Sequence, residues 1–204
     1  MVNQKYYPMF NTQSTPVLCV ENYFSNDELE KFKQQLTLVK TDPALIGGVD
    51  ITPENYYDVE VETHKIRKSN ICFLTDSEFN WVYDKLIIAI KHVNSTNYNK
   101  TLYGVEPLQY SEYDSNYRGF YGVHVDDNVN DVISGMNRKL SFTLQLSKED
   151  EYTGGDVIIH SNNIIASRSY GSITFFDSLI PHEVTPVTSG FRKSLVGWVL
   201  GPRV

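Results

Sequence analysis

The run YGVHVD over 121–126 contains two residues with the types and the spacing of a metal site. Residues i and i+2 of a β-strand point to the same face, so the imidazole of His124 and the carboxylate of Asp126 would converge on one ion. A His-x-Asp triplet alone is weak evidence, because an exposed polar strand end has the same pattern. His182 supplies a second histidine at the start of another β-rich run. Two histidines and one carboxylate leave open positions on Fe(II), whereas Zn(II) usually prefers four closed ligands.

Arg192 indicates what such a metal would hold. If the runs 182–187 and 191–200 form a hairpin, His182 and Arg192 share one face of it, about 13 Å apart. A dicarboxylate that chelates the metal at one end would meet the guanidinium at the other. Arginine suits this role because its planar fork binds a carboxylate with two hydrogen bonds. The alternative for Arg192 is a surface ion pair.

The elements that position these residues are predicted as two helices followed by about eight strands. A strand over 16–20 precedes a capping box, Ser25 to Glu28, that opens the first helix. A strand over 64–74 and a helix over 76–95 come next. The strands that follow are predicted at 106–113, 119–126, 139–147, 155–160, 163–167, 171–177, 182–187 and 191–200.

This order of elements favours a mainly β fold with flanking helices, with a double-stranded β-helix (a jelly roll) as the leading candidate. The 204 residues are the size of one domain. Helical support is expected over about 16–100 and the jelly-roll core over about 103–201. The long loops 41–63 and 127–137 are expected to be functional or mobile.

The formal net charge of −7 argues against nucleic acid as a partner. The basic cluster Lys65, Arg67 and Lys68 is interpreted as a solvated strand face. No apolar stretch approaches the length that spans a bilayer, and the N-terminus lacks the apolar core of a signal peptide. Cys19 and Cys72 each lie in an apolar run and are interpreted as buried free thiols. A cytoplasmic protein without membrane association is therefore expected, and the oligomeric state is left open.

Several segments jointly resemble a known enzyme family. HVD (124–126), PHEVTPVTSGFR (181–192) and Trp198 resemble the 2-oxoglutarate/Fe(II) oxygenases of the prolyl 4-hydroxylase superfamily. NRKLSFTLQLSKEDEYTGGDVII (137–159) is similar to the PKHD-type hydroxylases, and PVLCVENYFSNDELEKF resembles the start of that family's domain. The resemblance implies a jelly roll that uses Fe(II), 2-oxoglutarate and O2, with ascorbate as an additional candidate cofactor.

The resemblance also implies roles for individual residues. His124, Asp126 and His182 fall on the metal ligands, and Arg192 falls on the 2-oxoglutarate anchor. Further cofactor contacts are implied for Tyr113, Gln145, Ser194 and Trp198, and substrate contacts for Arg138, Tyr121 and Tyr57. Many relatives have a Tyr where this chain has Gln145. The alternative for the aromatic residues is that they fill the barrel.

The commonest reaction of the resembled family predicts hydroxylation of a prolyl residue in a peptide or protein. Loops 41–63, with Tyr56 and Tyr57, and 127–137 would close over that substrate. Two alternatives stay open. The substrate could instead be a free amino acid or another small molecule, or the chain could be a non-catalytic jelly-roll binding module.

Overall fold

A computed structural model describes residues 16–45, 62–75, 77–127 and 135–203 of the chain. The helices are α1 (Asn26–Leu36), a short segment α2 over 62–66, and α3 (Asn80–Val93), which continues into a π-helical turn, Asn94–Tyr98. The strands are β1 (Leu18–Val20), β2 (Asp42–Pro43), β3 (Arg67–Lys68), β4 (Asn70–Leu74), β5 (Gly104–Val105), β6 (Leu108–Asp114), β7 (Phe120–His124), β8 (Met136–Gln145), β9 (Tyr152–Gly154), β10 (Val157–Ile159), β11 (Ile164–Ile165), β12 (Ile173–Asp177), β13 (His182–Val184) and β14 (Val187–Pro202).

Two antiparallel sheets form the core of the fold. In the described residues the large sheet follows the order β1-β12-β8-β14-β6-β4-β2, with β5 and β9 also paired to β14. The small sheet, as far as the chain is described, follows the order β11-β10-β13-β7-β3. The predicted mainly β fold with flanking helices, a double-stranded β-helix, is confirmed by this architecture and by its jelly-roll structural neighbours.

The helices cover the outer face of the large sheet. The predicted capping box of α1 is present: the Glu28 amide donates to Ser25 Oγ, and the Ser25 amide donates to Glu28 Oε2. The helix buries Leu29, Phe32 and Leu36. These side chains join those of α3 and alternate residues of the large sheet in one apolar cluster. The inner face of the large sheet is thereby left to face the small sheet.

The predicted strand over 64–74 is wrong in its first part. Residues 62–66 are helical, and the chain changes sheets at Ser69: β3 pairs with β7 of the small sheet, while β4 pairs with β6 of the large one. The interpretation of Arg67 as a solvated residue is also wrong, because only 8% of Arg67 is exposed. An alternating pattern cannot reveal that a strand leaves one sheet for another.

The predicted hairpin of 182–187 with 191–200 does not form. His182 on β13 pairs with His124 of β7, whereas Arg192 on β14 pairs with Tyr113 of β6, so the two residues lie in different sheets. The chain crosses between the sheets at Thr185 and Pro186, where the proline has no amide hydrogen to extend the ladder.

Three further expectations have different outcomes. Cys19 is exposed and Cys72 is half-buried, so the expectation that both are buried is wrong. Most of the loops 41–63 and 127–137, including Tyr56 and Tyr57, lies outside the described residues. No helix within the described ranges is long and apolar enough to cross a bilayer.

Candidate metal centre

His124, Asp126 and His182 come together as the sequence predicts. One ligand atom from each lies within 4.8 Å of the others. His182 Nε2 is 3.4 Å from Asp126 Oδ2, and His124 Nε2 is 3.7 Å from Asp126 Oδ1. His124 is the last residue of β7 and Asp126 lies two residues beyond it, so the strand ends at the site. His182 opens β13, directly opposite His124.

The two imidazole rings are held in the orientation that a metal ligand needs. His124 Nδ1 lies 2.8 Å from the carbonyl oxygen of Gly122, and His182 Nδ1 lies 2.9 Å from that of Ile180. A carbonyl only accepts, so each Nδ1 donates, and in the neutral form of each ring Nε2 has a free lone pair facing Asp126. Such outer hydrogen bonds fix the tautomer and the ring orientation of metal-ligating histidines.

Asp126 is positioned by two serines that the sequence did not point to. Its amide donates to the carbonyl oxygen of Ser178 at 2.9 Å, and its Oδ2 accepts from Ser141 Oγ at 2.7 Å. The hydroxyl groups of Ser141 and Ser178 are 3.0 Å apart. Ser141 lies on β8 opposite Phe176 of β12, two residues before Ser178. Its role depends on that strand register, for which no local motif gives a signal.

Burial and mutual charge shift the pKa values of the three groups. Burial, with the nearby His182, lowers the pKa of His124 to about 4. Burial alone would raise the pKa of Asp126, but the hydrogen bond and charge of His182, the charge of His124 and the Ser141 hydroxyl lower it to about 2. Burial likewise opposes a proton on His182, yet its contact with Asp126 prevails and raises the pKa of that imidazole. Near neutral pH the site thus holds a carboxylate and a neutral His124, and the raised pKa of His182 lets that imidazole keep its proton to a higher pH than a free imidazole does.

Metal affinity is expected to rise with pH through the raised pKa of His182. A metal must displace the His182 proton, so Co(II) affinity should fall about tenfold per pH unit below that pKa. His124 is already neutral there, because its pKa is lowered to about 4. Calorimetry in buffers of different ionisation enthalpy should find close to one proton released at the acidic end and none at the alkaline end. Release of two protons, or an affinity independent of pH, would contradict this assignment.

The triad opens into a cavity of about 500 Å³ between the two sheets. This volume is in the range of pockets for small molecules and cofactors. Alternate residues of β14 line it: Arg192, Ser194, Val196 and Trp198. The intervening Leu195 and Val199 point to the helix-covered core. Arg192, Ser194 and Trp198 thus share one inward face of β14, which pairs with β6 and β8 instead of β13.

Arg192 is buried in this cavity without a countercharge. Only 3% of the residue is exposed, and Nη1 donates to Ser194 Oγ at 3.1 Å. In the described part of the chain no carboxylate lies within 4.0 Å of its guanidinium, so Arg192 does not form the surface ion pair that was the alternative. Gly155 makes room for the side chain, since a Cβ there would lie 3.0 Å from Arg192 Cδ. A buried guanidinium without an anion is costly unless a ligand supplies one.

The other predicted site residues divide into two groups. Tyr113 and Tyr121 line the cavity; the Tyr113 ring centre lies 5.5 Å from the Arg192 guanidinium, and Tyr121 stacks on His124 at 3.5 Å. Arg138 also lines it, but its guanidinium is bound by both Glu106 oxygens. Gln145 is not among the described residues that line it, and its amide nitrogen donates to the Ser147 carbonyl oxygen and to Tyr152 Oη.

The matching family model covers the strands that carry this site. Residues 108–200 match the 2OG-Fe(II) oxygenase superfamily. The resemblance predicted from the motifs is confirmed by this match. Two similar relatives are PKHD-type hydroxylases, one of Idiomarina loihiensis (36% identical, covering 39% of this chain and 36% of the relative) and one of Shewanella oneidensis (37%, 46% and 44%). The chain thus spans less than half the length of these curated relatives.

Solved structures resemble the fold over most of the chain. A prolyl hydroxylase of Trichoplax adhaerens in complex with a hypoxia-inducible-factor peptide fragment has a TM-score of 0.71 at 15% identity, with 92% of this chain and 84% of that chain covered. A Pseudomonas putida prolyl-4-hydroxylase has a TM-score of 0.67 at 18% identity, with 92% of this chain and 93% of that chain covered. A collagen prolyl hydroxylase of Paramecium Bursaria Chlorella virus-1, in its 2OG complex, has a TM-score of 0.64 at 15% identity, with 91% of this chain and 96% of that chain covered. At these identities the likeness concerns the fold.

The residues present fit the iron and 2-oxoglutarate of the 2OG-Fe(II) oxygenases. The candidate iron-binding triad offers two imidazole nitrogens and one carboxylate, the set that leaves open positions on Fe(II). The same cavity contains Arg192, which has no anionic partner among the described residues. A dicarboxylate would satisfy both the open metal positions and the guanidinium.

Proposed function

We propose that this protein is a 2-oxoglutarate- and Fe(II)-dependent dioxygenase that hydroxylates prolyl residues in a peptide or protein. The observation that carries the oxygenase class is the shared cavity of the metal triad and the buried, unpartnered Arg192. The prolyl substrate is supported by three of the structural neighbours, which are prolyl hydroxylases, one of them bound to a peptide. A fold alone does not define a substrate, so this second part needs its own experiment.

In this proposal His124, Asp126 and His182 hold Fe(II), and Arg192 binds the far carboxylate of 2-oxoglutarate. When bound, the pair supplies oxidative decarboxylation of 2-oxoglutarate coupled to insertion of one oxygen atom of O2 into a substrate C–H bond. Ser194 orients the Arg192 guanidinium through its 3.1 Å hydrogen bond. The apolar wall residues Val157, Phe176 and Val184 would keep water from the reacting centre.

Hydroxylated peptides are the expected result of a direct assay. The protein would be incubated with a library of proline-containing peptides, Fe(II), 2-oxoglutarate and ascorbate, and analysed by mass spectrometry. We expect a gain of about 16 Da on proline, from one inserted oxygen atom, with one succinate formed per product. A His182→Ala variant is the matched negative control. Succinate formation without any modified proline peptide would retain the oxygenase class and contradict the prolyl substrate.

A further inference from the structure

Arg67 is a second buried arginine of the cavity, and its charge is not neutralised. It lies on β3, at the edge of the small sheet, and lines the same cavity as the triad. Its Nε donates to Ser69 Oγ at 2.7 Å. Its Nη2 is buried and has no hydrogen-bond partner. No carboxylate within the described ranges approaches its guanidinium to 4.0 Å, although a buried guanidinium without an acceptor is strongly unfavourable.

The other charges of the cavity leave Arg67 unmatched even when iron and 2-oxoglutarate are bound. One carboxylate of the dicarboxylate would neutralise Arg192. The other would neutralise the single positive charge that remains on a divalent ion after Asp126 is bound to it. Arg138 is neutralised by Glu106 at 2.6 Å. Asp127 also lines the cavity, but it is exposed and forms no ion pair with Arg67. One positive charge therefore stays available to a further ligand.

Arg67 is also close to the place where chemistry would occur. The Tyr121 ring lies 4.6 Å from the Arg67 guanidinium carbon and stacks on the His124 ring at 3.5 Å, with 13° between the planes. A group bound by Arg67 would thus lie one aromatic ring away from a metal ligand. Trp198 Nε1 is a second buried donor of the cavity without an acceptor.

We propose that Arg67 binds a carboxylate of the substrate, so that the cavity selects substrates with an acidic group near the carbon that reacts. This inference rests on the proposed function and adds the chemistry of the substrate to it. A guanidinium fork binds a carboxylate through two charge-assisted hydrogen bonds, and Nη2 is the donor that lacks an acceptor. The carboxylate could belong to an acidic side chain of a peptide or to the α-carboxylate of a free amino acid.

Paired probes that differ only in the acidic group test this proposal. The full chain would be loaded with Mn(II) and N-oxalylglycine, and probe binding would be measured by Mn(II)-induced relaxation of probe protons. The pairs are N-acetylproline and its amide, N-acetylalanine and its amide, and blocked Pro-Glu and Pro-Gln dipeptides. We expect at least one carboxylate to bind about tenfold or more tightly than its amide, as a charge-assisted pair requires. Which pair shows the preference distinguishes an acidic side chain from an α-carboxylate.

Substitutions of Arg67 separate recognition from a structural role. Arg67→Gln should bring the carboxylate-to-amide ratio close to one, and Arg67→Lys, which keeps the charge but loses the fork, should leave an intermediate ratio. Lys68→Gln removes the neighbouring charge outside the cavity lining and should leave the ratio unchanged. If Arg67 only supports the Tyr121 ring, both members of each pair weaken equally. Mn(II) affinity verifies that each variant is folded.

Two results would overturn the proposal: wild-type protein that prefers no carboxylate in any pair, or a preference that survives in Arg67→Gln. Failure of the proposed prolyl function gives a different pattern. In that case carboxylate preference and its dependence on Arg67 persist in the binding assay, while no proline-containing peptide gains oxygen.

Discussion

Replacement of His182 by alanine is expected to abolish turnover and to weaken Co(II) binding by more than about 100-fold. Loss of an outer-shell partner of a metal site typically costs 10–100-fold in metal affinity, and loss of a ligand should exceed that range. His182 is 6% exposed, and its Nε2 lies 3.4 Å from Asp126 Oδ2. The alanine variant would leave two ligands and remove the contact that most lowers the pKa of Asp126.

His160→Ala is the matched control for this experiment. His160 is another histidine of the small sheet's surface, where Nε2 lies 3.2 Å from Glu183 Oε1, and it does not line the cavity. Metal binding is measured by Co(II) absorbance and calorimetry, and turnover by succinate formation. Retention of wild-type Co(II) affinity in the His182→Ala variant would remove this residue from the metal site.

Replacement of Arg192 by methionine is expected to raise the KM for 2-oxoglutarate by about 100-fold or more, with metal affinity unchanged. Two charge-assisted hydrogen bonds to a buried carboxylate support a loss of this size. Arg192→Lys should give a smaller rise, because an ammonium cannot form the fork. Ser194→Ala should also give a smaller rise, because it removes only the 3.1 Å contact that orients Nη1.

The stability of the ligand-free Arg192→Met variant separates ligand binding from a structural role. Arg192 is buried without a carboxylate partner among the described residues, so methionine removes an uncompensated charge. The melting temperature should stay the same or rise. Lys193→Met is the control, since this neighbour points away from the cavity. A large loss of stability with an unchanged KM would mean that Arg192 holds the fold together.

The chemistry of the site could be predicted from residue types, whereas its assembly could not. Few kinds of site combine a His-x-Asp triplet with a later histidine and an arginine. The strands around these residues could be predicted from the alternation of hydrophobic residues. The hairpin that was expected to join His182 and Arg192 does not exist, because Thr185 and Pro186 lead the chain into the other sheet. The two residues reach one cavity because the sheets face each other.

The residues that sequence analysis missed depend on contacts between distant strands. Ser141 reaches Asp126 because β8 pairs with β12, whose end leads to Ser178, and the Ser178 carbonyl oxygen accepts the Asp126 amide. Arg67 lies in a short basic cluster that is typical of an exposed strand, yet it is buried where β3 pairs with β7 and its guanidinium lies over the Tyr121 ring. Sequence spacing carries no information on either contact, because both join elements far apart in the chain.

The distribution of these groups over the two sheets has a mechanical consequence. The metal ligands belong to the small sheet: they lie at the end of β7, two residues beyond that end, and at the start of β13. Arg192 and Ser194 extend from β14 of the large sheet, which faces it. A dicarboxylate bound to both the metal and Arg192 would connect the small sheet to the large sheet. Binding of the metal and binding of the dicarboxylate would then each raise the affinity for the other, because both depend on the same distance between the two sheets.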